Sequence, residues 1–386
     1  MENNITNKPL NLLEEIHGDT CRLGFFKLIS CIGNDFQPFS LNYFVAQFYD
    51  LIKKYQNQWN FPSYSSKTGL LSIKESEGKH TAKNYILLSY NFKILNKKHQ
   101  TLDNFGRIYN KTDSAKEIFQ YIKNTHERTR NILLLNDVEK VMFLNQLITI
   151  DNLIIVPLIK WLSKKNEVQR GEAINFIMEN IYKSALEKMY QETKDYNKKL
   201  QLDNEIKNVS KYPEIRERKQ KTGEWTTSKE YYKYRHTAPP RLEWLVDVGL
   251  LMKKERGKFI SSPIIKKLND ENFLDNILYD EMIYKISKIF LPKVEKIDSE
   301  GIKHFLIECY DSFSKAGYLS VDTELLKQLI VFRLLESNKI TEFYEIDRVL
   351  KILEEMDSKS IKHHVDLYGK PRFVKIDIEI VNKLQL

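Results

Sequence analysis

The side chains that most often carry enzyme chemistry occur in this sequence without the spacing that a catalytic site needs. The phosphate-binding loops GxxxxGK(S/T) and GxGxxG are absent, as are HExxH, CxxC and GxSxG. Asp377-Ile-Glu379 near Lys383 comes closest to a carboxylate-metal nuclease motif, but its spacing does not fit. His363 and His364 are adjacent in a strand-like segment, so their side chains point to opposite faces and cannot share one metal ion. We therefore assign no catalytic residue, no metal site and no cofactor, and the sequence favours a protein that is not an enzyme.

The cysteines and the apolar segments favour a reduced, water-exposed environment. Cys21, Cys31 and Cys309 are odd in number, which argues against a disulfide framework, and too scattered for a four-ligand zinc site. The N-terminal residues include acids and lack the apolar core of a secretory signal. The most apolar stretch, 153–159, is far shorter than the about 20 residues of a membrane-spanning helix. We expect a soluble cytoplasmic protein that does not contact membrane.

Positive charge is the main compositional feature. The chain carries 61 Lys and Arg against 52 Asp and Glu, for a net charge of +9, while hydrophobic residues make up 42% of it. The hydrophobic content is sufficient for folded cores. The charge favours a polyanionic partner, either nucleic acid or an anionic membrane. The alternative is a generally basic composition, rich in Lys and Asn, that has no specific partner.

Residues 207–236, which we call the basic segment, concentrate this charge among aromatic side chains. They hold nine Lys or Arg and four Glu, and so carry five of the nine net positive charges. Cations neutralise phosphates with release of counterions, and aromatic rings stack on unpaired bases. Alternatively, the rings pack onto a domain and the charges face water. The candidate nucleic-acid-binding residues of the basic segment are Arg216, Arg218, Lys219, Lys221, Trp225, Lys229, Lys233 and Arg235.

Residues 237–262 predict a helix followed by a two-stranded hairpin. Pro239 and Pro240 fit a first helical turn, where missing N–H donors are tolerated. Gly249 can adopt the left-handed conformation that ends a helix. The strand after Gly249 is reversed by the charged turn 254–257 into a second strand. This order of helix, strand, basic glycine turn and strand resembles the second half of a winged helix-turn-helix module.

The resemblance implies a mode of binding. In winged-helix proteins the helix before the hairpin usually enters the major groove of DNA, and the hairpin, or wing, contacts the backbone or the minor groove. Glu243 and Asp247 lie on that helix and would repel phosphates, so a module that binds protein or only scaffolds the chain is the alternative. The residues that the resemblance implicates are Arg241, Lys253, Lys254, Arg256 and Lys258.

The same pattern recurs more weakly in two other places. Residues 81–98 align without a gap on 237–254, with apolar positions in common and Lys97-Lys98 matching Lys253-Lys254. Residues 322–380 contain two helix-like segments and then a strand, a Gly369-Lys-Pro turn and another strand, for which an ordinary solvated hairpin is the alternative. The basic side chains expected at these two turns are Lys97, Lys98, Lys362, His363, His364, Lys370 and Arg372.

These patterns together predict a mainly α, multi-domain fold with small β-wings and a helical bundle. The predicted divisions are a winged-helix-like domain (1–112), a helical bundle (113–190), a basic aromatic arm or linker (191–236), a second winged-helix-like domain (237–292) and a C-terminal helical domain with a possible third wing (293–386).

The function that this sequence favours is non-enzymatic DNA binding by tandem winged-helix modules and a basic arm, in company with other protein subunits of a DNA-processing or defence assembly. The first alternative is an interaction scaffold whose winged helices bind proteins. The second is the recognition part of a restriction-type nuclease system whose catalytic subunit is another chain.

Overall fold

A computed structural model describes residues 10–55, 74–123, 131–255, 257–270, 279–365 and 371–386. Their fold is mainly α-helical with short strands, which confirms the predicted fold class. No single helix in these ranges is long and apolar enough to cross a membrane, although one bent pair, Asp137–Ile150 with Asn152–Ser163, has the length and composition together.

In chain order the helices are α1 (Gly24–Ile32), α2 (Leu41–Tyr55), α3 (Glu75–Asn91), α4 (Asn104–Asn110), α5 (Asp113–Lys123), α6 (Asp137–Ile150), α7 (Asn152–Ser163), α8 (Arg170–Phe176), α9 (Lys183–Glu192), α10 (Tyr196–Ser210), α11 (Tyr212–Lys221), α12 (Lys229–Thr237), α13 (Pro239–Asp247), α14 (Pro263–Asp270), α15 (Tyr279–Phe290), α16 (Ser299–Lys315), α17 (Thr323–Glu336), α18 (Phe343–Met356) and α19 (Ile378–Val381). A π-helical stretch, Ile177–Tyr182, joins α8 to α9, and a 3-10 turn spans Trp225–Thr227.

The strands are β1 (Leu95–Asn96), β2 (Thr101–Leu102), β3 (Glu167–Gln169), β4 (Leu251–Glu255), β5 (Lys258–Ser261), β6 (Glu295–Lys296), β7 (Val321–Asp322), β8 (Lys339–Ile340), β9 (Ile361–Val365) and β10 (Pro371–Ile376).

The chain forms two compact units, each assembled from three stretches. Unit 1 comprises Met1–Phe25, Val45–Phe92 and Phe143–Ile277, and unit 2 comprises Phe26–Phe44, Lys93–Met142 and Leu278–Leu386. This grouping differs from the five consecutive domains that we predicted. The predicted domains 1–112 and 113–190 are each shared between the units, and the predicted linker 191–236 lies inside unit 1. Apolar helix faces find partners far away in the sequence, which consecutive boundaries cannot represent.

The hairpin predicted for residues 237–262 is confirmed. Helix α13 ends before Gly249, whose φ of +78° is the left-handed conformation expected there. Strands β4 and β5 then pair in antiparallel fashion, and Gly257 in their turn has a φ of +83°. Glycine adopts this conformation without the steric cost of a Cβ atom, so the two glycines set where the helix stops and where the chain reverses.

Each unit contains a three-stranded sheet with the same connectivity. In unit 1 the order is β3-β5-β4, and in unit 2 it is β7-β10-β9. In both sheets the second strand of a hairpin is central, with the first strand of the hairpin on one side and a short strand from earlier in the chain on the other. All of these strand pairs are antiparallel. A helix directly precedes each hairpin, α13 in unit 1 and α18 in unit 2. In unit 1, helices α10 to α12 are inserted between the first strand and α13, so the basic segment belongs to an insertion within this arrangement.

Candidate nucleic-acid interface

The helix that the winged-helix resemblance places in a DNA groove, α13, is buried from Pro239 to Leu245. Arg241 is completely buried, and its Nε and Nη2 atoms donate hydrogen bonds to the two carboxylate oxygens of Asp151 at 2.6 and 2.9 Å. It also donates to the carbonyl oxygens of Thr237 and Leu13 at 2.6 and 2.8 Å. Because this guanidinium is buried and held by partners inside unit 1, the prediction that Arg241 contacts nucleic acid is wrong.

The first hairpin, β4–β5, offers less free positive charge than its sequence suggested. Lys253 lies 3.1 Å from a carboxylate oxygen of Glu243, and Lys258 lies 2.6 Å from one of Glu167. These ion pairs offset both charges within unit 1. Lys254 is exposed and forms no ion pair with any residue that the structure describes. The fifth predicted contact, Arg256, lies outside the described residues.

The basic segment is folded into helices rather than extended as an arm, and its rings form a small core. Trp225 is only 9% exposed, and its ring lies 5.0 Å from that of Tyr234 and 5.7 Å from that of Tyr231, both edge-to-face. Tyr234 in turn packs against Tyr212 and donates a hydrogen bond of 2.7 Å to Glu179. Burial and this bond raise the pKa of Tyr234. The expectation that the Trp225 ring is available to stack on bases is therefore not met.

The cations of the basic segment divide into two classes. One class is held by carboxylates: Arg216 by Glu179 at 2.7 Å, and Lys219 and Lys233 in the same way by acids on neighbouring helices. The other class is exposed and forms no ion pair with any described residue. The exposed candidates are Arg218, Lys221, Lys229 and Arg235. Only this second class can neutralise phosphates without first giving up an internal partner.

The second hairpin, β9–β10, presents a basic face. Lys362 lies directly opposite Lys375, and His364 lies opposite Phe373. Residues opposite each other, or two apart on one strand, share a face of a sheet. All four side chains therefore lie on one face, and all four are exposed. Neither hairpin strand contains a carboxylate. Asp322 of the third strand, β7, lies opposite Phe373 and so shares this face, where its carboxylate accepts hydrogen bonds from the N–H groups of Glu324 and Leu325.

The remaining predicted residues of this hairpin are placed as follows. Arg372 is exposed, with its guanidinium 5.4 Å from the ring of Phe373. His363 faces the opposite side, half-buried and 3.8 Å from Glu354. Lys370 lies outside the described residues. The hairpin predicted at this end of the chain is present. Lys375 was not among the predicted residues, although the alternation of side chains along β10 places it on the same face as Phe373.

Helix α18, which precedes this hairpin, has an exposed face, unlike α13. Tyr344, Arg348 and Lys351 are spaced four and three residues apart, which places them along one side of the helix, and all three are exposed. The positive charges of Arg348 and Lys351 are partly offset, because Arg348 lies 3.8 Å from Glu345 and Lys351 lies 3.7 Å from Glu355. The exposed Asp347 lies on the same side of the helix. No sequence pattern predicted a role for these three residues.

The first predicted copy, 81–107, is present only in part. Phe92 and Val248 are both completely buried, as expected, and a strand does begin at Leu95. Strands β1 and β2 have two residues each, and within the described part of the chain they pair only with each other. Because the division between the units falls after Phe92, this stretch does not form one module. Superposition on 237–262 stays a prediction. Lys97 and Lys98 are exposed in the β1–β2 turn.

The described residues contain no group of three or more His, Cys, Asp or Glu side chains placed to hold a metal ion. The three cysteines are free thiols, of which Cys31 and Cys309 are buried. Burial raises the pKa of Cys21 to about 12 and also raises those of Cys31 and Cys309. The thiols are therefore protonated at neutral pH, whereas a cysteine nucleophile acts as the thiolate.

No protein-family model matches this chain, and neither a curated protein nor a solved structure matches it.

Proposed function

We propose that this protein binds nucleic acid, and specifically duplex DNA, through the β9–β10 hairpin and the exposed face of α18. The observation that carries the proposal is the hairpin face on which Lys362 and Lys375 lie opposite each other with no carboxylate in either strand. Arg372 adds a third exposed cation to the same hairpin. Lysine and arginine side chains placed in this way neutralise phosphates and release counterions.

The repeated sheet order supports two winged-helix-type modules in one chain. A helix, a hairpin and a short third strand recur with the same pairing in each unit. In the module of unit 2, α18 would approach the major groove and the β9–β10 hairpin would contact the backbone beside it. The module of unit 1 differs because α13 is buried, so in this proposal it scaffolds unit 1, and its contribution to binding comes from exposed cations such as Lys254 and Arg218.

The test is the affinity for a duplex of mixed sequence, measured by fluorescence anisotropy. The variant Lys362→Ala/Arg372→Ala/Lys375→Ala removes three exposed charges from the hairpin. The matched control, Lys116→Ala/Lys285→Ala/Lys315→Ala, removes three charges that lie elsewhere in unit 2, each beside its own carboxylate. Lys116 and Lys315 are exposed, and Lys285 is half-buried. We expect the affinity for duplex to fall about tenfold or more in the hairpin variant and to change little in the control. Equal losses in both would show that only the net charge matters.

A protein partner is the second candidate ligand of this hairpin. Val365 and Phe373 are 60% and 36% exposed, so the hairpin also offers apolar surface. Exposed aromatic and aliphatic side chains are typical anchors of protein interfaces. If the wild-type protein binds no duplex at low salt, while Phe373→Ala abolishes association with a co-purified subunit, the scaffold function replaces the proposed one.

A further inference from the structure

An open cleft with a volume of about 320 Å³ lies among helices α10, α11 and α12 of unit 1. Three lysines line it. Lys211 precedes α11, Lys229 begins α12, and Lys233 lies one turn further along α12. The volume is at the lower end of the range that small-molecule sites occupy, about 300–1,000 Å³.

The two carboxylates that line the cleft are already neutralised. Glu205 lies 2.9 Å from Lys233, and Glu230 lies 2.7 Å from Lys219. Lys219 is not one of the residues that line the cleft. The hydrogen bond from Lys219 lowers the pKa of Glu230, so this carboxyl group is ionised and paired at neutral pH. Lys211 and Lys229 are exposed and form no ion pair with any described residue. The cleft therefore has two positive charges in excess.

The N-terminus of α12 adds to this positive potential, because α12 begins at Lys229 and the macrodipole places partial positive charge there. The Ser228 hydroxyl already accepts the N–H of Tyr231 in the first turn of α12. Helix α11 begins directly after the end of α10 and has Pro213, which lacks an N–H group, in its first turn, so its N-terminus offers fewer donors. Lys211 and Lys229 therefore carry the preference for an anionic ligand.

We propose that this cleft binds a phosphate monoester, either the terminal phosphate of a nucleic-acid strand or that of a free nucleotide. A monoester carries a charge of about −1.5 to −2 at pH 7, which matches the two uncompensated lysines. A phosphodiester within a strand carries a single negative charge and leaves one of them uncompensated. This proposal rests on the cleft alone and does not depend on the β9–β10 hairpin.

Isothermal titration calorimetry with four probes tests the proposal: adenosine 5′-monophosphate, adenosine, and a six-nucleotide single strand with either a 5′-phosphate or a 5′-hydroxyl end. We expect tighter binding of a phosphorylated probe than of its partner. A preference within the adenosine pair indicates a free nucleotide, and a preference confined to the strands indicates a strand end. The preference should weaken from pH 7.5 to pH 5, because a monoester loses part of its second charge below a pKa of about 6.

The variant Lys211→Ala/Lys229→Ala should bind the phosphorylated probe about tenfold or more weakly than wild type does. The control Lys188→Ala/Lys198→Ala removes two exposed lysines of α9 and α10 that lie outside the cleft lining, and it should bind as wild type does. The hairpin variant should also retain the preference, which separates this proposal from that of duplex binding. Equal affinities within both probe pairs, or equal effects of the two double variants, would overturn the proposal that the cleft binds a phosphate monoester.

Discussion

Arg241 and Asp151, ninety positions apart in the chain, form a fully buried ion pair whose closest atoms are 2.6 Å apart. The pair joins α13 to the residue that precedes α7, and Asp151 also accepts a hydrogen bond of 3.0 Å from the backbone N–H of Leu13. Burial raises the pKa of Asp151, while Arg241 opposes that rise. This interaction makes α13 an internal support of unit 1.

Removing one partner of this pair should destabilise the protein strongly. Arg241→Ala leaves the Asp151 carboxylate buried without its cation, at a cost of about 3–5 kcal/mol in the free energy of unfolding. The double variant Arg241→Met/Asp151→Leu should cost less than the single variant, because no buried charge remains. Urea unfolding followed by circular dichroism measures both. A loss below about 1 kcal/mol in the single variant would show that the pair is not buried in solution.

Trp225 should behave as a core residue. Its ring is packed between Tyr231 and Tyr234, so Trp225→Ala should lower the free energy of unfolding by about 3–5 kcal/mol. Tyr232→Ala is the matched control, because Tyr232 is exposed on α12, the helix that also carries Tyr231 and Tyr234, and its loss should change stability by less than about 1 kcal/mol. If Trp225→Ala instead unfolds at the same urea concentration as wild type and only weakens binding to single strands, the ring stacks on bases after all.

The two arginines of α11 should differ although they are two positions apart. Arg216 is held by Glu179, which also accepts the hydrogen bond of Tyr234, so Arg216→Ala should cost about 1–2 kcal/mol of stability. Arg218 is exposed, and Arg218→Ala should leave the unfolding curve unchanged within about 0.5 kcal/mol. Thermal and urea unfolding of the two variants side by side measure this difference. Identical curves would mean that the Arg216 pair is loose.

Asp247 should make stability depend on pH. Burial raises the pKa of Asp247 from 3.8 to about 6, against the opposing effects of Arg22 and of the backbone N–H of Leu23. A carboxyl group with a raised folded-state pKa contributes its full stability below about pH 3.8 and loses it as the pH rises through 6. Asp247→Asn removes this loss. The free energy of unfolding of the variant minus that of wild type should therefore rise by up to about 3 kcal/mol between pH 4 and pH 7.5. A stability difference that does not change with pH would contradict the raised pKa.

Local patterns in the sequence were sufficient to predict the β4–β5 hairpin, because Gly249 and Gly257 impose conformations that other residues rarely adopt. They could not predict the burial of Arg241, since its partner, Asp151, is far away in the chain and nothing at position 241 distinguishes an internal arginine from one that contacts phosphate. The same limit applies to Trp225, where an aromatic residue among lysines fits a binding segment and a small core equally well.

The predicted domain divisions differ from the two units for a related reason. Helix α6 begins in unit 2 and ends in unit 1, so the division between the units falls inside a regular helix with no loop signal in the sequence. The second hairpin was predicted as an element, but its basic face depends on the register that sets Lys362 opposite Lys375. Register is set jointly by the hydrophobic patterns of the paired strands and by the geometry of their turn, so one strand alone shows which residues share a face but not which residue lies opposite each of them.

The salt dependence of duplex binding tests the central claim most directly. On duplex DNA each neutralised phosphate contributes about −0.9 to the slope of log affinity against log salt. Lys362→Ala/Arg372→Ala/Lys375→Ala should therefore flatten the slope by up to about 2.7, while Lys116→Ala/Lys285→Ala/Lys315→Ala should leave it as in wild type. A wild-type protein that binds duplex with the same slope as the hairpin variant would contradict the proposal that the β9–β10 hairpin contacts the phosphate backbone.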